Sequence, residues 1–143
     1  MSRSSKTSPW TLVFGAWLVA ALATLGALFM SEVMGFAPCV LCWWQRIFMF
    51  PLVLILALGL FPFDPKMLRY AMPLAAIGLL VAGFHVLLTM GIIPEALEPC
   101  RQGIPCKTIQ VEWFGFLTIP LLSLLAFLIL NGLLLAAYRS SSK

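Results

Sequence analysis

Four cysteines carry most of the chemistry legible in this chain. They form two close pairs: Cys39 and Cys42 in a Cys-Val-Leu-Cys run, and Cys100 and Cys106 further on. Two such pairs suit structural disulfides, a metal site or a redox relay. As braces they are weak, because closing a four-residue or a seven-residue loop restrains the unfolded chain by only about 2 kcal/mol each. Short loops also tend to be strained and easily reduced, which suits disulfide exchange better than bracing. Pro38 precedes a helix start, so Cys39 and Cys42 lie within one turn near a positive helix end. Arg46 follows Cys42 by four residues, on the same helical face. Helix terminus and arginine together favour a thiolate, the form that attacks disulfides. A redox pair is therefore the favoured reading. Structural disulfides stay open as an alternative. Zinc is disfavoured because the sole histidine, His85, falls in an apolar stretch, although a four-cysteine metal site stays open too.

The elements that must position these groups are set by composition. Of 143 residues, 62% are hydrophobic and only 10% charged, against about 25% charged in a soluble domain. A soluble globule of this size has no interior large enough for so much apolar surface, so the solvent is lipid. The same figures exclude a disordered chain, a collagen and a small secreted disulfide scaffold, and they argue against a nucleic-acid role. Uncharged runs of 25 residues (7–31), 17 (47–63), 25 (70–94) and 26 (113–138) mark the spans, the second starting early, near Val40. About 20 residues cross the hydrocarbon as a helix. The expectation is an all-α integral membrane protein: a four-helix transmembrane bundle forming a single domain over 1–143. Its helices are expected near 10–30, 40–61, 70–91 and 113–136, with outer loops near 31–39 and 92–112. Pro51, Pro73 and Pro120 fall inside these spans and are expected to kink them. Ala16, Ala20, Ala23 and Ala27 form a stripe expected to serve packing and nothing more. The first span, with Arg3 and Lys6 before it, continues past Ala21-Leu22-Ala23 to Met30, so it reads as a retained anchor, not a cleaved signal.

Orientation follows from the basic residues. With an even number of spans, both termini and the middle loop share one side. That side carries Arg3, Lys6, Lys66, Arg69, Arg139 and Lys143 against Asp64, a balance of +5. The other carries Arg46, Arg101 and Lys107 against Glu32, Glu95, Glu98 and Glu112, a balance of −1. The basic side, with both termini, should be cytoplasmic. Trp43, Trp44 and Trp113 then mark the outer interface, and Trp10, Tyr70 and Tyr138 the inner one. All four cysteines fall outside, where disulfides form.

A dithiol relay needs a terminal electron acceptor. The chain has no dinucleotide or flavin fingerprint, and one histidine makes no haem pair. A small lipid-soluble acceptor such as a quinone fits. Arg46 and His85 lie at the right depth to bind one, about one turn inside the second helix and one to two turns below the outer end of the third. Ionisable residues within membrane helices are costly and functional by default. The plainer alternatives are an Arg46 that snorkels to the interface and a His85 that is a hydrogen-bonded packing residue. Glu112, at an interface, reads as solvated.

Pro38-Cys39-Val40-Leu41-Cys42-Trp43-Trp44-Gln45-Arg46 resembles the signature of the DsbB-like disulfide bond formation proteins. Pro99-Cys100-Arg101-Gln102-Gly103-Ile104-Pro105-Cys106 and Trp113-Phe114-Gly115-Phe116-Leu117-Thr118-Ile119-Pro120 are similar to the short-loop, BdbC-type branch. In relatives of vitamin K epoxide reductase the loop cysteines precede the Cys-x-x-Cys, whereas here they follow it. The resemblance implies a thiol–quinone oxidoreductase of the bacterial inner membrane that supports disulfide formation in exported proteins. It implies that Cys100 and Cys106 oxidise a thioredoxin-like extracytoplasmic thiol oxidase of the DsbA/BdbD type, Cys100 forming the mixed disulfide. Cys106 would exchange with Cys39, and Cys42 would face the quinone, menaquinone before ubiquinone. Arg46 matches the family arginine beside the quinone, and His85 in Phe84-His85-Val86 looks like the quinone-proximal histidine. Gln45 departs from a glutamate common at that position, and the second outer loop is short, which leaves the order of exchange open. The contrasting expectation is a non-catalytic membrane scaffold with two structural disulfides. A small cation exporter would need a buried carboxylate, and the first span has none.

Overall fold

The structure is a computed structural model, and it describes residues 7–97, 112–113 and 117–142. Four long helices dominate: α1 (Pro9–Leu28), α2 (Val40–Leu60), α3 (Leu68–Thr89) and α4 (Ile119–Ser141). Each is long and apolar enough to cross a membrane. The shortest, α2, has 21 residues, about 31 Å of helix against a hydrocarbon core of roughly 30 Å. Only internally bonded segments of this kind satisfy their backbone in lipid. Short elements join them: a π-helical turn over Phe29–Val33 extends α1, 3-10 turns span Pro65–Met67 and Glu95–Leu97, and Glu112–Trp113 pairs antiparallel with Leu117–Thr118.

Local signals fix the starts. Ser8 caps α1, its hydroxyl accepting from Thr11 N–H at 3.3 Å, with Pro9 in the first turn. Asp64 does the same for the turn before α3, accepting from Lys66 N–H at 3.0 Å. Gly35 and Gly91 turn the chain at positive φ of 73° and 79° beyond α1 and α3.

The fourth helix departs from expectation. It begins at Ile119, not at residue 113, and the residues just before it belong to the short antiparallel ladder. Pro120 therefore sits in the first turn of α4, where a missing N–H costs no helix bond, and it does not kink the span. Pro51 and Pro73 do lie within α2 and α3, both on exposed faces.

Each helix packs on its neighbours in sequence, and α4 closes against α1, so the four ring a common core. Small residues make the approach close. On α3 the buried stripe runs Leu68, Ala71, Ala75, Gly78, Ala82, His85 and Leu88. A methyl group added at Gly78 would collide with the ring of Phe127 on α4. Asn131 of α4 donates to the Ala75 carbonyl of α3 at 3.0 Å, an interhelical bond inside the bundle. The outward faces carry Leu22, Leu25, Leu54, Leu58 and Leu80, each more than 60% exposed, as a lipid-facing surface requires. The alanine stripe of α1 divides in two. Ala16 and Ala20 are fully buried in the core, while Ala23 and Ala27 border a cavity.

Candidate active site

Cys39 is the N-cap of α2, with extended backbone at φ −75° and ψ 174°, and Cys42 lies one turn in. Their side chains are unbridged thiols with the sulfurs 3.3 Å apart. Cys39 is buried and Cys42 half-buried. The buried face of α2 continues through Gln45 and Met49, and α3 presents His85 against it. The imidazole Nε2 lies 3.8 Å from Cys39 Sγ, and Nδ1 lies 3.0 Å from the Gln45 amide nitrogen. Gln45 and His85 are 7% and 2% exposed, so sulfur, imidazole and amide form one buried polar chain in an apolar setting. With the amide nitrogen donating to Nδ1, the ring proton sits on Nε2 and faces the sulfur. Cys42 donating to Cys39, and then His85, hold the Cys39 thiol well below the ordinary thiol range, against the opposing effect of burial.

Arg46 crosses from α2 to the last turn of α1. Its Nη2 donates to the Ala27 carbonyl at 2.9 Å, and its guanidinium lies 5.4 Å from the Trp43 ring centre. Ser31, in the π turn, donates to the same carbonyl at 3.1 Å. The arginine head is thus tied across the bundle at half burial.

These groups border one cavity of about 880 Å³ reached by all four helices. Ala23 and Ala27 of α1, Cys42 and Arg46 of α2, His85 of α3 and Phe127 of α4 all contribute to its walls. An apolar chamber with a few polar groups gathered together is the form of a small-molecule site. So Cys39, Cys42, Arg46 and His85, picked out from sequence, come together. Cys100 and Cys106 lie outside the described residues. Gln45 was noticed in sequence only as a departure from a pattern. Its spacing, four residues after buried Leu41 and four before buried Met49, is the signal that puts it inside.

A model of the family "Disulfide bond formation protein DsbB" matches residues 8–137. The chain belongs to the DsbB family. A "Probable disulfide formation protein" of Metapseudomonas resinovorans is 46% identical over 134 residues, 93% of each chain. "Disulfide bond formation protein C" of Bacillus subtilis (strain 168) is 42% identical over 118 residues, 82% of this chain and 86% of the other. A "Probable disulfide formation protein" of Oceanobacillus iheyensis is 41% identical over 131 residues, 89% of this chain and 88% of the other. No solved structure matches. Membership in the DsbB family implies a role in disulfide bond formation and oxidoreductase activity.

Proposed function

We propose that this DsbB-family chain is a thiol–quinone oxidoreductase of the bacterial cell membrane. It reoxidises an extracytoplasmic thioredoxin-like thiol oxidase of the DsbA/BdbD type. The observation that carries this reading is the convergence of Cys39, Cys42, Arg46 and His85 on one apolar cavity among the four helices. The residues fit a quinone: the volume suits a ring with part of its tail, the walls are apolar, and a cation stands at the thiols.

The partner's thiolate attacks the Cys100–Cys106 disulfide, forming a mixed disulfide at Cys100. Its second thiolate resolves this and leaves oxidised, leaving Cys100 and Cys106 reduced. Cys106 then attacks Cys39 of the Cys39–Cys42 disulfide. Cys42 departs as the thiolate, and attack by Cys100 on the Cys106–Cys39 bridge restores the loop disulfide and frees Cys39. A bound quinone supplies a two-electron, two-proton acceptor, so each partner dithiol oxidised is matched by one quinol. Arg46 holds negative charge beside Cys42, and one of its donors already fixes the guanidinium on the Ala27 carbonyl. The His85 N–H steadies the Cys39 sulfur as leaving group when Cys100 restores the loop disulfide. Excess basic residues on the other face set the cysteine pairs outside and both termini in the cytoplasm. Menaquinone is favoured over ubiquinone by likeness to the short-loop branch.

The test mixes purified protein, a reduced thioredoxin-like oxidase and a quinone, following thiol loss and quinone absorbance together. Serine at any one of Cys39, Cys42, Cys100 or Cys106 should abolish turnover. Full activity in Cys42→Ser would refute the mechanism.

A further inference from the structure

The sole histidine, which counted against zinc because it falls in an apolar stretch, lies against the thiols. Cys39 Sγ, Cys42 Sγ and a His85 ring nitrogen all fall within 4.8 Å of one another. Two thiolates and an imidazole, with a fourth side open on a cavity, are the donor set of an open zinc site. Zinc–sulfur bonds of about 2.3 Å and zinc–nitrogen bonds of about 2.1 Å place tetrahedral ligands about 3.5–3.8 Å apart. The sulfurs stand 3.3 Å apart and the imidazole Nε2 3.8 Å from Cys39 Sγ. Those two distances are within about half an ångström of the tetrahedral values, and the third, between Cys42 Sγ and the imidazole, is within 4.8 Å and closes by up to about 1 Å through a side-chain rotation.

The surroundings suit such an ion. Two thiolates neutralise a divalent cation, so the filled site adds no net charge to an apolar interior, where charge is costly. Metal on Nε2 puts the ring proton on Nδ1. The Gln45 amide stands 3.0 Å from Nδ1. It carries a donor and an acceptor, and turning over it presents its oxygen to that proton, as an outer support for the ligand. The same atoms serve two exclusive states, since the dithiol offers two thiolates and the disulfide none.

We propose that the reduced Cys39–Cys42 pair and His85 form a zinc site, and that zinc holds the pair reduced by blocking disulfide formation. The binding half stands on geometry alone, and the blocking half rests on the function proposed above.

The test titrates Zn²⁺ into full-length detergent-solubilised protein against a chromogenic chelator. A Cys100→Ser/Cys106→Ser background removes the other pair. The reduced protein should bind one ion per chain and the oxidised protein none. Affinity should fall at least tenfold in His85→Ala and further in Cys39→Ser. Co²⁺ in place of Zn²⁺ should give tetrahedral thiolate bands that change in His85→Ala, and Zn²⁺ should shield both thiols from alkylation until a chelator is added. The cobalt bands themselves and the shielding are read on the unaltered site, so misfolding of the His85 or Cys39 variants does not blunt them. The site is overturned if the reduced double-serine protein binds no Zn²⁺, or binds it as tightly after either substitution. For the blocking half, a short-chain quinone is added without partner. Thiol loss should stop when the site is filled and resume with chelator. Unchanged loss at full occupancy overturns blocking. Absence of loss without zinc would instead sink the proposed function and leave the titration to decide the site.

Discussion

At the scale of residues, the decisive contact is His85 between Gln45 and Cys39. Replacing Gln45 with leucine removes the amide that donates to His85 Nδ1, and losing a buried hydrogen bond costs about 1–3 kcal/mol. The expected outcome is a lower melting temperature in detergent and slower turnover. Cys39, held low by Cys42 and His85, should stay thiolate below the pH at which an ordinary thiol, near about 8.5, is protonated. Because the thiolate is the form that reacts, Cys39 alkylation mapped by mass spectrometry should persist to lower pH than for a free thiol. In His85→Ala its midpoint should move upward. The types and depths of Cys39, Cys42, Arg46 and His85 were legible in the sequence. Their meeting was not, because hydropathy fixes how deep a residue lies but not which way its helix is turned. The small residues Ala71, Ala75, Gly78 and Ala82 do carry that turn, since the same stripe leads to His85.

At the scale of elements, the bundle is tight where small residues meet and open where they end. Alanine at Gly78 runs into the Phe127 ring, so Gly78→Ala should destabilise α3 against α4 by about 1–3 kcal/mol, read by denaturation in detergent. Ala23 and Ala27 border the cavity. Leucine at either should raise the apparent KM for quinone while leaving zinc-free disulfide exchange with the partner intact in a single turnover. Four spans were legible from uncharged runs alone. The start of α4 was not, because Trp113, Phe114, Phe116 and Leu117 are as apolar as the helix they precede. Apolarity reports tolerance of lipid, whereas the proline at 120 reports where a helix begins. In the second half of the alanine stripe Ala23 does pack against the core, but it and Ala27 also border the cavity, since small side chains serve close approach and empty space equally well.

At the scale of the whole molecule, charge and chemistry must agree on sidedness. The proposed topology rests on a charge balance of +5 on one side and −1 on the other, which by the positive-inside rule predicts the cysteine pairs outside. A membrane-impermeant maleimide applied to intact reduced cells should therefore label Cys100 and Cys106, and labelling only after lysis would reverse the topology. The claim beneath all this is that the Cys39–Cys42 pair gives its electrons directly to a quinone in the cavity beside it. The most direct measurement mixes reduced, purified Cys100→Ser/Cys106→Ser protein with a short-chain quinone and counts both reactants. The expected result is two thiols lost, mapped to Cys39 and Cys42, for each quinone reduced, with no reduction when Cys42→Ser is added to that background. Quinone reduced without thiol loss, or thiols that persist in excess quinone, would contradict it.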